Sequence, residues 1–489
     1  MPRPVLAASH RWWTLAAVSL TQLLIVLDGT IVNVALPSAQ AELGFSDSSR
    51  QWVITAYALA FGSFLLLGGR VADFWGRKRT YLLGMAVFGV GSAWGGLTHS
   101  AAELLAARGL QGLAAAFMAP AALAFVTLNF PDGSERNRAF AIFGSLAGAG
   151  SAIGMLLGGV LTEFFSWRWC LLVNVPLIVV GLVAGYILLH ESRAEGDRRY
   201  DVAGAITATL GFASMVYGLT LAEQSWTAPA TIGFIVAGLG LLVGFVMIEH
   251  RAQHPLLPLR VLTEPTRAAA FSVQALLGVV GMGAMVYLAM HLQLVMKLPP
   301  LLAGLGTLPF TVSLMATVPF AMRLLDRAGP RPQLVFGPLI SAAGVFLLTF
   351  VTADGGYWTQ ILPGVVLMGV GMGFTVVPLN NLALYRVAPH DAGVASAAST
   401  ATNQLGGSIG LALLTAVYVA FAGRSAAGGV DAMVAGHVAV FAVGTMVFAL
   451  VSLVAWLAVR PESRMSPGQP TTSSEPAEVS AVVSSGSGS

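Results

Sequence analysis

Fourteen predominantly apolar runs, each bounded by charges, proline or glycine, follow one another along the chain at 12–34, 50–70, 79–97, 101–128, 137–161, 168–189, 202–222, 228–249, 268–295, 301–324, 332–351, 357–385, 393–420 and 434–459. A helix rises about 1.5 Å per residue, so about 20 such residues cross a hydrocarbon core roughly 30 Å thick. The pattern predicts an all-α membrane protein with fourteen transmembrane helices. The first run is too long for the apolar core of a signal peptide, and comparable runs follow it, so insertion by the first helix is expected rather than cleavage. From residue 462 onward the chain is rich in Ser, Pro, Thr, Glu and Gly without apolar runs, and a disordered tail is expected over 461–489.

Composition supports the same class. Apolar residues make up 56% of the chain and charged residues 10%, against about 45–50% and about 25% in soluble domains. The net charge of +3 does not imply nucleic acid, because the basic residues cluster in short loops between apolar runs, where they report orientation. With a cytoplasmic N-terminus, 20 of the 25 Lys and Arg residues fall on the inner side and four on the outer, while Arg108 lies inside a run. A multi-pass protein of the cytoplasmic membrane with both termini cytoplasmic is therefore expected. The single cysteine, Cys170, excludes an internal disulfide and a thiolate metal site, and is expected to act as a small apolar residue.

An internal repeat is legible. GRVADFWGRKR (69–79) follows the second run and MRLLDRAGPRP (322–332) follows the tenth, with Asp, Gly and basic residues in matching places. Each lies between the second and third helix of a six-helix half, leaving the seventh and eighth runs as an inserted hairpin. The expected organisation is a short N-terminus (1–11), an N-terminal half (12–189), a linker with the inserted hairpin (190–250), and a C-terminal half with its leading loop (251–460). Such repeats are typical of secondary transporters, whose substrate site lies between the halves.

Candidate chemistry is sparse and therefore informative. LIVLDGTIVNVALP (24–37) places one carboxylate, Asp28, in the first apolar run. The fourth run holds LLAARGLQGLAAAFMAP (104–120), with Arg108 and Gln111 on one helical face. An arginine at depth costs about 2.5–3.5 kcal/mol even on the lenient insertion scale, so it should meet a partner or an aqueous cavity, or else snorkel to the surface. Asp28 is expected about 24 Å into its helix and Arg108 about 10 Å below the outer edge. The two charges thus lie at similar depth. Gly69, Asp73, Gly76, Arg77 and Lys78 of the first loop motif fit either a conformational lock or a plain positive anchor. Glycines allow close helix ends there, and Asp73 is favoured by the adjoining helix dipole and cations. Gly150, Gly154 and Gly158, with Gly159, form a smooth face for packing or gating. Asn33, Tyr57, Gln111, Gln293 and Asn380 are candidate cavity-lining residues. His291, near the outer end of its helix, is a candidate for a proton relay or for an interfacial role.

No soluble-enzyme constellation is present: neither GxxxxGK[ST] nor HExxH occurs. No cofactor is expected, and an ion gradient is the simplest power source.

The ordered motifs resemble the major facilitator superfamily and, within it, the fourteen-span drug:proton antiporter family. LDGTIVNVALP is similar to that family's span-1 signature, GRVADFWGRKR to the superfamily loop motif, and LLAARGLQG to its span-4 motif. SWRWCLLVNVP (166–176) and LQLVMKLPPLLAGLGTLP (292–309) match further landmarks. The chain departs from the pattern at Met155, where the span-5 antiporter motif usually has proline, at Met322, which replaces the first loop's glycine, and at Asn403, where relatives often carry arginine. The resemblance implies two halves rocking about a central site. It also implies that Asp73, Arg77 and Lys78 hold helix ends in one state, and that Arg108 with Asp28 serves proton coupling. A monomer moving small molecules and protons through the bilayer is expected, with export favoured. A nutrient-importing symporter or facilitator and a non-transporting receptor or assembly protein stand as the rivals.

Overall fold

The computed structural model describes residues 8–130, 133–193, 201–222, 225–252, 264–383, 385, 387, 392–424 and 428–459. Residues 1–7 of the expected N-terminus, residues 194–200 and 253–263, and the expected tail lie outside the described residues. The helices are α1 (Ala8–Leu43), α2 (Asp47–Trp75), α3 (Arg77–Gly96), α4 (Ala101–Asn129), α5 (Gly133–Phe164), α6 (Trp169–Leu172), α7 (Asn174–Leu188), α8 (Val202–Leu221), α9 (Pro229–Arg251), α10 (Pro265–Met290), α11 (Pro300–Ala328), α12 (Pro330–Leu347), α13 (Leu362–Ala383), α14 (Ala392–Ala422) and α15 (Gly429–Ala458). A π-helical turn, His291–Val295, extends α10, and another, Tyr357–Ile361, leads into α13. No strand occurs among the described residues.

Every apolar run of the sequence falls on these helices. Among the described residues ten helices are long and apolar enough to cross a membrane, or eleven if the two arms of the bent α2, Arg50–Leu65 and Leu67–Trp75, count as one span. Local chemistry sets several boundaries. α9, α10, α11 and α12 each open on proline, which is pre-set for the first helical turn and has no N–H to leave unpaired. Ser100 caps α4 by accepting from the Glu103 N–H, and the Glu103 carboxylate accepts from Thr98 and the His99 N–H, so the orphan donors of that terminus are satisfied.

The internal repeat reappears as repeated packing. In the N-terminal half α1 packs on α5, α2 and α3 on α4, and α7 on α3 and α1. In the other half α10 packs on α14, α11 and α12 on α13, and α15 on α12 and α10. These are the same pairings in the same order. The halves meet through α2 against α14 and α5 against α11, which are again equivalent positions exchanged. The α8–α9 hairpin lies beside this junction, with α8 touching both α2 and α14.

The joint between α2 and α3 is tighter than the loop expected from sequence. Helix continues to Trp75 and resumes at Arg77, so Gly76 alone breaks it, with φ 123°. A Cβ there would lie 2.4 Å from the Glu191 carboxylate. The equivalent Gly329, between α11 and α12, has φ 78°. Gly76→Ala is expected to combine a strained backbone, about 1–3 kcal/mol, with displacement of Glu191. A lowered midpoint in thermal unfolding of the purified protein checks this.

Candidate functional site

Asp28 is fully buried in α1, and Arg108 of α4 is 1% exposed. Snorkelling of Arg108 is thereby excluded. Its Nη1 donates to Asp28 Oδ2 at 2.5 Å, while Gln111 Nε2 donates to Asp28 Oδ1 at 2.9 Å. Asn174 Nδ2, from α7, donates to the same Oδ1 at 2.7 Å. The carboxylate thus receives a guanidinium and two amides, the arrangement that a buried charge requires.

The surrounding helices fix the donors in turn. Arg108 Nε donates to the Val53 carbonyl of α2 at 3.1 Å, and its Nη1 also donates to Gln111 Oε1 at 2.9 Å. Gln111 Nε2 reaches Ser92 Oγ of α3 at 2.9 Å. The Tyr57 ring lies under the guanidinium, with the Arg108 Cζ 4.5 Å from its centroid, and the Tyr57 hydroxyl donates to the Ile25 carbonyl of α1 at 3.3 Å. Gly112 allows this convergence, since a Cβ there would lie 2.2 Å from the Tyr57 carbonyl oxygen. Five helices therefore meet at one ion pair. Asn174, Ser92 and the Val53 carbonyl belong to this site although sequence reasoning did not select them. The available signal was Asn174 as a lone amide within the SWRWCLLVNVP landmark. The break between α6 and α7 at Val173 places Asn174 at the opening of α7.

The other predicted residues form separate groups. Arg77 pairs with Asp73 through Nη2 at 2.7 Å and Nε at 3.1 Å, joining the end of α2 to the start of α3. Lys78 Nζ donates to the Tyr186 carbonyl at 2.7 Å, the Lys78 N–H to Glu191 Oε1 at 3.2 Å, and the Arg77 N–H to the Ser192 carbonyl at 3.0 Å. In the second half Arg331 Nη2 donates to the Trp456 carbonyl at 2.8 Å. Both contacts tie the start of a third helix to the end of the sixth helix in the same half. Gly69 does not provide the close approach expected of it: a Cβ there would meet only Pro120 at 3.5 Å, whereas at Gly68 it would lie 2.1 Å from the Ala116 carbonyl oxygen.

Gly150, Gly154 and Gly158 face α1, opposite Leu23, Val26, Leu27, Thr30 and Ile31. Gly159 instead faces α11, where a Cβ would lie 2.7 Å from the Leu301 Cα. With no proline at 155, α5 remains one helix, Gly133–Phe164, and Met155 Sδ accepts from Thr307 Oγ1 at 2.8 Å. Gln293 Nε2 crosses between the halves to the Val34 carbonyl at 3.2 Å. Asn33 is half-buried with no hydrogen-bond partner for Oδ1 among the described residues, and Asn380 is exposed. Among the described residues no hydrogen bond joins any of these three to the Asp28 cluster. His291, expected near the surface, is 1% exposed and packs against His437.

The comparisons with known proteins agree with this architecture. The chain is 41% identical over 460 residues to the puromycin resistance protein of Streptomyces alboniger, covering 92% of each chain. It is 38% identical over 435 residues to the cephamycin export protein of Amycolatopsis lactamdurans, covering 87% of this chain and 88% of that one. Its fold matches the crystal structure of a bacterial homologue of the human lysosomal transporter Spinster, inward-facing and unoccupied, with TM-score 0.66 and 17% identity over 94% of this chain and 100% of that one. The family model of the Major Facilitator Superfamily matches residues 18–411. The chain belongs to the Major Facilitator Superfamily, and it is a membrane transporter rather than an enzyme.

Proposed function

We propose that this transporter exports antibiotics or related amphipathic or cationic small molecules in exchange for protons, by alternating access of its two halves. The observation that carries the reading is the fully buried Asp28, held by Arg108, Gln111 and Asn174. Burial disfavours a charged carboxylate and a neighbouring guanidinium favours it. A state change that alters water access or the ion pair would therefore load or release a proton. The named roles of the relatives, which include lincomycin resistance at 34% identity, support a drug-sized cargo and outward transport.

The same reading includes fourteen spans, both termini in the cytoplasm and a monomer in the cytoplasmic membrane. The Lys and Arg distribution supports the orientation, and the twelve spans of the two matching halves, with α6 and α7 forming one span, Trp169–Leu188, plus the α8–α9 hairpin support the count. No cofactor is required, because the proton gradient supplies the energy.

Two measurements test the function together. Inverted vesicles containing the protein are expected to accumulate a fluorescent cation when a proton gradient is applied, and to lose it on adding a protonophore. Cells carrying the gene are expected to tolerate puromycin, cephamycins or lincomycin better than cells without it. Uptake into intact cells in place of extrusion would instead identify an importer.

A further inference from the structure

A second enclosed polar cluster lies in the C-terminal half, outside the Asp28 site. His291 Nδ1 and His437 Nδ1 are 3.3 Å apart, and the two residues are 1% and 0% exposed. Tyr287 and Tyr418 enclose the His437 ring, with centroids 5.9 Å and 5.3 Å away, and Tyr287 donates to Thr415 Oγ1 at 2.9 Å. His437 Nε2 is buried without a hydrogen-bond partner among the described residues.

Two ring nitrogens in contact form a hydrogen bond only when one carries a proton and the other offers a lone pair. A neutral pair meets that condition and so does a pair with one extra proton, so it is the added charge, and not the hydrogen bond, that the closed geometry opposes. A further proton makes an imidazolium in an enclosure where, among the described residues, no carboxylate bonds to either ring. Arg50 of α2, 4% exposed and donating to Gln40 Oε1 at 2.7 Å, is near enough to act electrostatically on His437. Among the described residues the groups around the pair are thus Tyr287 from α10, with Thr415 of α14 bonded to it, Tyr418 from α14, and Arg50 from the opposite half. Lys297, Arg424 and Asp431, at the same end, are exposed. The charged residues of α11 and α12, Arg323, Asp326, Arg327 and Arg331, belong to the other end of those helices.

The position is as informative as the chemistry. The π-helical turn that begins with His291 carries Gln293, which bonds to Val34 of the N-terminal half. Beside it the Leu301 N–H donates to Glu163 Oε2 at 3.0 Å, again across the halves. The pair stands directly behind this seam.

We infer that His291 and His437 form a second proton-binding site, separate from Asp28, and that its protonation opens the seam between the halves at the Gln293–Val34 end. The inference rests on the alternating-access reading but not on Asp28 or on the cargo. By linkage, a proton that binds better to the open seam shifts the population toward it.

The test measures opening without any substrate. Ala102→Cys in α4 and Val430→Cys in α15, in a Cys170→Ala background, place two spin labels on exposed positions of opposite halves at this end. Pulsed electron–electron distance measurement on the full chain in nanodiscs follows their separation as pH falls from about 8 to about 5, the range in which an imidazole open to water gains its proton. The expected result is a growing population of longer distances, retained in Asp28→Asn, lost in both His291→Asn and His437→Gln, and reduced in Arg50→Gln. No pH-driven shift in the parent, or an undiminished shift in the histidine variants, would overturn the inference. Should either histidine variant fail to give monodisperse protein, the other and Arg50→Gln decide by the same criterion. Failure of drug transport with the shift intact would overturn the export reading alone.

Discussion

Arg108→Met is expected to destabilise the protein strongly, and removing Asp28 as well, in Asp28→Asn/Arg108→Met, is expected to restore much of the loss. The single change removes the donor to Asp28 Oδ2 and to the Val53 carbonyl and Gln111 Oε1. It also removes the cation over the Tyr57 ring, a contact worth about 0.5–2 kcal/mol. Breaking a buried pair by deleting one partner typically costs about 3–5 kcal/mol, because the surviving charge is left uncompensated.

In the double variant no such charge survives. Gln111 and Asn174 can still donate to the carbonyl oxygen at position 28, since both already face Asp28 Oδ1. The apolar methionine fills part of the arginine's volume. The two single losses should therefore exceed the double loss by roughly 0.5–3 kcal/mol, the usual range for residues in direct contact. Thermal unfolding of the four proteins in one detergent measures that coupling. Strictly additive losses would mean that the ion pair contributes nothing of its own, and that Arg108 acts only through Val53 and Tyr57.

Which parts of this site were legible follows from what sequence periodicity encodes. Run length and helix rise give depth, and depth alone placed Asp28 and Arg108 at one level. Rotation about each helix axis depends on neighbours, so nothing in their runs showed that Ser92 of α3 and Asn174 of α7 turn toward Asp28. The order of the repeat was legible because its marks, Gly76 and Gly329, are demanded by backbone conformation. Close helix contact is set by the facing surface instead, which is why Gly68 and not Gly69 meets Ala116. The histidine pair shows the same limit: His291 stood out in its run, but its partner lies 146 positions away.

Asp28→Asn is expected to abolish proton-driven accumulation while leaving a folded transporter. Asparagine keeps the size and one carbonyl oxygen for Gln111 and Asn174, but it cannot exchange a proton at any working pH. One charge moved through 100 mV supplies about 2.3 kcal/mol, and about 1.4 kcal/mol corresponds to a tenfold concentration ratio. For an uncharged cargo a single coupled proton thus sustains a gradient on the order of 50-fold; a monovalent cation exchanged for one proton moves no net charge and is driven by the pH difference alone, and an uncoupled carrier can only equalise the two sides. In inverted vesicles the parent should exceed equilibrium with the medium, and Asp28→Asn should not. Because the variant also leaves Arg108 without its counter-ion, uptake is compared per folded molecule, quantified by size-exclusion chromatography. A carboxylate that merely holds α1 against α4 and α7 gives the opposite pattern, with less protein in the membrane but undiminished uptake for each molecule present. That result would remove Asp28 from the proton cycle.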